Sequence, residues 1–505
     1  ESGRAGLCVF GQSRHRSGYD HDGDGFTEVP VINSQSVGMR SFFRTGAYSR
    51  ITAQYHHINE FRRGGDMLDR PPHEALIAEQ IDHSIDGGSL SFDISSPDRR
   101  NRFNAYASFQ NTARKSYYGS KQDPDAYGTT HDLTVAAGMQ YIHEFRKLLF
   151  MPSELTFGTE YSYDDLGDRS IGYDIHTDQT VHIVGAYLQN EWKTRKWSLL
   201  VGGRLDKHNL VDHVIFSPRV NVMYKPSDKL QARLTWSTGF RAPQAYDEDL
   251  HVTAVGGEGV LIKLAEGLKP ERSNSFSASA DRTFSFGHWQ ANLLVEAFYT
   301  QLNDVFVLEK TGTDASGNII KERRNGNGAR VYGINFDGKI AHGSELSLQA
   351  GFTVQSSRYI KKESWSEDPD VAPTRYMPRT PGCYGYFTLT SAPMRNFDFS
   401  LSGVYTGRMR VPHIAPDASE IPAGYEYSYI TKDELVHTPD FFELNLKLNY
   451  TFVLSDHVKL KLNGGVQNML NAFQKDLDKG GFRDSGYFYG PVQPRTYFIG
   501  FKITN

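Results

Sequence analysis

Three carboxylates at alternate positions open the chemical reading of this chain: Asp20, Asp22 and Asp24, in Asp20-His-Asp-Gly-Asp-Gly25. Glycines between and after them let the backbone bend, so that hard oxygen ligands converge on a cation such as Ca²⁺. A helix-flanked EF-hand would also carry Glu at its twelfth position, which is Val31 here, whereas Glu28 stands at the ninth. The motif is therefore a calcium-like loop rather than an EF-hand, with Asp20, Asp22, Asp24 and Glu28 as the candidate ligands. A solvated acidic loop is the competing reading. Elsewhere there is no nucleophile motif, no phosphate-binding glycine loop and no zinc spacing. Cys8 and Cys383 read as two unpaired thiols. His56 and His57 are adjacent on an expected strand, point to opposite faces, and so cannot share one metal.

The elements that would position this loop are strands. Tyr497, Ile499, Phe501 and Ile503 alternate with smaller or polar residues, as do Leu444, Leu446, Leu448, Tyr450 and Phe452. Such a beat gives an apolar ribbon backed by a polar one. Many segments run ten residues or more, longer than the usual strand of a soluble sandwich and suited to a tilted membrane crossing. Only 38% of the 505 residues are hydrophobic and 13% are aromatic. No run of about twenty apolar residues occurs, which excludes a helical span. A barrel needs apolar residues on its outer face alone, so low hydropathy and membrane residence agree. A net charge of −4 is too balanced to suggest nucleic acid.

The connections alternate in length. Short turns are expected near 45–49, 96–101, 194–197, 226–229, 392–396 and 454–457. Long loops are expected near 19–34, 59–86, 116–131, 243–273, 359–379 and 411–439. Short turns on one rim and long loops on the other describe a bacterial outer-membrane barrel with the long loops outside. The fold class is all-β: a large antiparallel transmembrane β-barrel of about twenty strands. Its lumen would be too wide for side chains to fill. Aromatic strand ends such as Tyr450, Phe452, Tyr497 and Phe501 read as an interfacial girdle.

Several segments taken in order resemble one family. They are Asp20-His-Asp-Gly-Asp-Gly-Phe-Thr-Glu28, Gly38-Met-Arg-Ser-Phe-Phe-Arg-Thr-Gly46, and His56-His-Ile-Asn-Glu-Phe-Arg-Arg-Gly-Gly65 with Arg70-Pro-Pro-His-Glu74. Later come Ser237-Thr-Gly-Phe-Arg-Ala-Pro243, Leu268-Lys-Pro-Glu-Arg-Ser273, Gln467-Asn-Met-Leu-Asn471 and Gly490-Pro-Val-Gln-Pro-Arg-Thr-Tyr497. On this strand pattern they resemble the barrel of a TonB-dependent outer-membrane receptor of the Bacteroidetes type, across residues 1–505. The resemblance implies a 22-strand family barrel with an N-terminal plug and a segment that binds TonB. Nothing in the sequence resembles the plug, and the first strand pair is expected to be absent. The chain begins at Glu1 without a basic and apolar leader, so it is expected to be a mature form or a fragment. It ends Ile503-Thr504-Asn505, where the family usually ends in an aromatic residue.

The same resemblance implies TonB-energised uptake of a scarce nutrient, with cobalamin as the first expectation and haem or a ferric siderophore as the second. A passive pore is the competing class. Expected partners are the TonB energy-coupling complex, outer-membrane lipid, a small-molecule nutrient and a surface lipoprotein. Cobalamin receptors order their loops with calcium, which fits a structural Ca²⁺ in the external loop. Haem receptors place an iron-ligating His after an Arg-Ala-Pro box, which makes His251, with Tyr246, the candidate substrate contact. The second family box departs here, reading Glu266-Gly-Leu268. An ordinary loop histidine beside Asp247, Glu248 and Asp249 is the alternative.

Overall fold

The wall is one antiparallel sheet in which each long strand pairs with its neighbour in sequence. The computed structural model describes residues 3–244, 260–313, 319–419, 421–423, 427 and 429–504. The sheet holds 21 strands, one of which, Thr374–Tyr376, is a three-residue strand at the rim. The expectation of about twenty strands is met. Among the described residues, the Pro72–Glu74 turn is the sole helical element, and no helix is long and apolar enough to cross a membrane.

Side chains sort by face as the alternation requires. Leu444, Leu446, Leu448, Tyr450 and Phe452 share one face of Phe441–Val453. Register carries them onto Val466, Gly464, Leu462 and Leu460 of the next strand, and these onto Tyr497, Ile499, Phe501 and Ile503. The opposite face carries Glu443, Lys447 and Asn449. Exposed apolar side chains on the outside are what a lipid-facing wall presents. Aromatic pairs stack at the short-turn rim, including Trp197 on Tyr224 at 4.2 Å and Phe150 on Trp192 at 5.3 Å.

The sheet does not close. No ladder joins Ala5–Arg16 to Thr496–Thr504 among the described residues, and their flanks are open, with Leu7 68% and Ile499 88% exposed.

Strands run further than the alternation shows. Thr27–Gly46, Ser49–Gly65, Ile77–Ser95, Asn101–Ser120 and Tyr127–Leu148 extend deep into the segments expected as loops. Above the apolar band both faces meet water, so the hydrophobic beat vanishes while the ladder bonds continue. Two small sheets stand among the long loops: Val260–Leu264 with Phe306–Thr313 and Ile319–Asn325, and Arg410–His413 with Glu434–His437.

Candidate cation loop and its clamp

The acidic motif sits on the long-loop rim, between Ala5–Arg16 and Thr27–Gly46. Its neck is a bridge in which the Tyr19 and Val29 amides donate to each other's carbonyls, at 2.9 and 3.1 Å. Asp20 folds the loop from inside, accepting from the Gly23 amide at 2.7 Å and the Gly25 amide at 2.8 Å. Both glycines take positive φ, 77° and 94°, which a side chain would oppose.

The loop brings one oxygen each of Asp20, Asp22 and Glu28 within 4.8 Å of one another. Both Asp22 carboxylate oxygens are shielded from solvent without a hydrogen-bond donor, and the Lys479 ammonium stands 3.5 Å away. Glu28 accepts from the His21 amide at 2.7 Å. Asp24 points elsewhere: it accepts from the Phe26 amide, the Gly480 amide at 2.7 Å and the Arg483 guanidinium. Arg483 also donates to Glu28 at 3.1 Å and lies over the Phe26 ring at 4.5 Å. Of the four expected ligands the structure therefore gathers three and commits Asp24 to an arginine.

Electrostatics separate these carboxyls. Burial, then the Asp24 charge, raises the Asp22 carboxyl above its ordinary range. Burial likewise raises Glu28. Burial also opposes Asp24, but the Gly480 and Phe26 amides and Arg483 outweigh it and hold that carboxyl low. The site is thus an anionic cage in which protons, an arginine or a divalent cation compete for the same oxygens.

The clamp comes from the last long loop, 468–495, which sequence reasoning missed. It has no strand period, yet it is internally cross-braced. Asn468, fully buried, donates to the Ala472 and Gln493 carbonyls and accepts from the Ala472 amide. Gln474 donates to the Tyr487 carbonyl and accepts from the Tyr489 amide. Asp476 receives both the Tyr487 and Tyr489 hydroxyls. A signal was available: Lys479 and Arg483 flank Gly480 and Gly481, two cations beside a flexible pair and complementary to the acidic loop.

This loop also ties to the two long loops before it. The His413 ring stacks on Tyr487 at 3.8 Å and pairs with Asp478 at 2.9 Å. Asp484 accepts from the Ile414 amide at 2.8 Å, and Arg379 donates to the Gly486 and Phe488 carbonyls. Between this last long loop and the first strands lies a cavity of about 340 Å³, lined by Phe26, Arg62, Arg483 and Phe488 together with carboxylates. Glu28, Glu79, Asp478 and Asp484 outnumber the two arginines, so the cavity is net acidic.

His251 and Tyr246 lie outside the described residues. His57 pairs with Asp86 at 2.9 Å and His73 with the Tyr127 hydroxyl at 2.8 Å, so each is engaged with its own neighbour.

Comparison with known proteins gives three findings. The family model described as TonB dependent receptor-like, beta-barrel matches residues 9–469. The iron-regulated outer membrane virulence protein of Vibrio cholerae serotype O1 is 29% identical over 205 residues, which cover 39% of this chain and 30% of that protein. Among solved structures, the siderophore receptor PirA of Acinetobacter baumannii superposes with a TM-score of 0.72 at 16% identity, covering 99% of this chain and 75% of the receptor. A ferric enterobactin receptor (PfeA) mutant of Pseudomonas aeruginosa gives 0.73 at 13% identity, with 100% and 76% covered. The FrpB iron transporter of Neisseria meningitidis gives 0.71 at 15% identity, with 100% and 78% covered.

Proposed function

We propose a function for a chain that belongs to the TonB dependent receptor-like beta-barrel family and resides in the bacterial outer membrane: it is the barrel of a receptor that binds a ferric siderophore on its long-loop side and admits it with energy delivered through TonB. The observation that carries this is the architecture, a wall of long strands around a lumen too wide for side chains to fill, with the long loops gathered at one rim. The relatives supply the ligand class, since they are described as iron-regulated, as siderophore receptors or as an iron transporter. None of those named carries a cobalamin description, so iron chelates come ahead of cobalamin. The chelate is not assigned to the acidic cavity, whose charge would repel a polyanion.

Calcium belongs to this reading as the structural ion of the rim. Asp20, Asp22 and Glu28 would hold it, with further oxygens from backbone or water completing the usual six to eight. Its chemistry is charge neutralisation, which lets three ionised carboxylates share one loop. Support comes from the 4.8 Å convergence and the donor-free Asp22 oxygens.

The test is uptake of radiolabelled ferric siderophore by iron-starved cells expressing the full-length receptor. Accumulation that needs an intact TonB system supports the reading. Accumulation independent of TonB, together with passage of unrelated sugars, would leave a passive pore.

A further inference from the structure

The outer wall carries a cationic cluster that the transport reading does not use. Its height is fixed by two aromatic rungs. At the upper one, Trp236, Phe276, Tyr299 and Tyr332 stand opposite one another across four consecutive long strands. At the lower one, Trp289 stands opposite His342. About ten residues separate the rungs, which at about 3.4 Å per residue and a tilt near 45° climb about 25 Å. That is the thickness of an outer-membrane apolar band, and Ile334 and Phe336 fill it on the same face.

One step above the upper rung, two residues along, the strands of Trp236, Phe276 and Tyr299 carry Thr238, Asn274 and Gln301, and the strand of Tyr332 carries Arg330, where the outward positions turn basic. Arg330 stands opposite Arg358, and Arg358 opposite Tyr376. The Arg358 guanidinium lies over the Tyr376 ring at 4.8 Å, and Arg410 approaches the same ring from its own small sheet at 3.2 Å. Arg410 also meets His437 at 3.1 Å. Among the described residues no carboxylate pairs with Arg330, Arg358 or Arg410. Like charges directly opposite in an antiparallel pair destabilise the sheet unless an anion joins them. The same field acts on the phenol: the Arg410 hydrogen bond, then the Arg358 and Arg410 charges, draw its pKa below the ordinary tyrosine range.

We infer that Arg330, Arg358, Tyr376 and Arg410 form a docking site for a phosphate-bearing lipid headgroup of the outer leaflet. The position selects the occupant. The cluster faces away from the lumen, so a transported solute does not pass it. It stands about 5 Å above the aromatic girdle, at headgroup depth. Guanidinium forks match phosphate oxygens bidentately, and two of them over one aromatic platform, with Arg330 opposite Arg358 on the adjoining strand, would hold a headgroup in one orientation. The inference is independent of the transported ligand and holds for a receptor or a pore alike.

The experiment uses full-length protein in a maltoside detergent, probed with diphosphorylated lipid A, the same lipid without its phosphates, and inorganic phosphate. Native mass spectrometry reads lipid occupancy. Wild-type protein should retain the diphosphorylated lipid. Occupancy should fall at least tenfold in the triple variant R330Q/R358Q/R410Q and stay unchanged in the lumen-facing control K339Q. If the triple variant does not fold, R358Q alone should show a partial loss. Equal occupancy in the variant, or equal binding of the dephosphorylated lipid, would overturn the site. Displacement of the lipid by inorganic phosphate at equal concentration would reassign it to free anions and overturn the lipid occupant.

Discussion

Arg483 donates to Glu28 at 3.1 Å across 455 residues of sequence. Its other guanidinium nitrogen engages Asp24, so one side chain fastens the last long loop to the first. No ladder joins the two ends of the sheet among the described residues; at the rim they meet through this contact together with the Gly480 amide on Asp24, Lys479 beside Asp22 and the His21 ring against Phe473. The pair is shielded, with the Arg483 side chain 11% exposed and Glu28 2%.

Breaking the clamp should therefore loosen both loops together. Removing one partner of a shielded ion pair costs about 3–5 kcal/mol, because the remaining charges stay buried unpaired. Arg483→Met is expected to raise amide exchange in both 17–28 and 468–495 by about a hundredfold or more, since each 1.4 kcal/mol is tenfold. Hydrogen-exchange mass spectrometry checks this. Loosening of 468–495 alone would mean that the loops are not coupled through Arg483.

Calcium should compete with protons at this rim. Folding raises the Asp22 and Glu28 carboxyls. A raised carboxyl favours the folded loop when protonated, so its contribution is present at low pH and is lost as pH rises through the raised value. Asp24 has the opposite sign: held low, it stabilises above the ordinary carboxylate range and loses that as pH falls through its folded value. Calcium needs Asp22 and Glu28 ionised, so its affinity should fall as pH drops, starting above the usual carboxylate range. Titration calorimetry at pH 7.5 and pH 5 reads the difference. Asp22→Asn should abolish the calcium heat at both values, and an unchanged heat counts against the site.

The strand wall was legible because lipid on one side and lumen on the other impose a two-residue beat, clear at Leu444 to Phe452. The upper halves of Ile77–Ser95 and Asn101–Ser120 were not, because no such asymmetry exists above the membrane. Asp20, Asp22 and Glu28 could be read as a cluster from spacing alone. The fate of Asp24 could not, because Arg483 arrives from the far end of the chain. The cross-bracing by Asn468 and Gln474 is made of single side-chain amides on backbone groups, which leave no periodic trace.

His413 should make the last long loop, 468–495, pH-sensitive through its pair with Asp478. Burial alone would lower its pKa, but the Asp478 hydrogen bond and the Asp478, Asp484 and Glu434 charges win and raise it. A raised histidine contributes its full stability below the unfolded value of about 6.5, and that contribution is lost as pH rises through the folded value. Exchange in 476–486, corrected for intrinsic rates, should therefore quicken between pH 6 and pH 9. In His413→Phe the stacking on Tyr487 survives but the charge does not, so the dependence should flatten. A variant as pH-sensitive as the parent would assign the effect to another group.

Ligand class is separable with one preparation of the full-length receptor. A ferric siderophore should give saturable quenching of intrinsic tryptophan fluorescence, and cobalamin should give none. Calcium should strengthen the chelate's binding if the rim must be ordered to bind it, because an ion that favours the ordered loop removes that ordering cost from the ligand. Chelating calcium is then expected to weaken siderophore affinity severalfold in the parent and to leave Asp22→Asn unaffected. His251→Ala should leave siderophore binding intact, because a siderophore already saturates its iron with its own oxygens. Loss of binding in His251→Ala, with a haem absorbance shift in the parent, would move the assignment to haem. Saturable binding of cobalamin alone would restore the ligand first implied by the family resemblance.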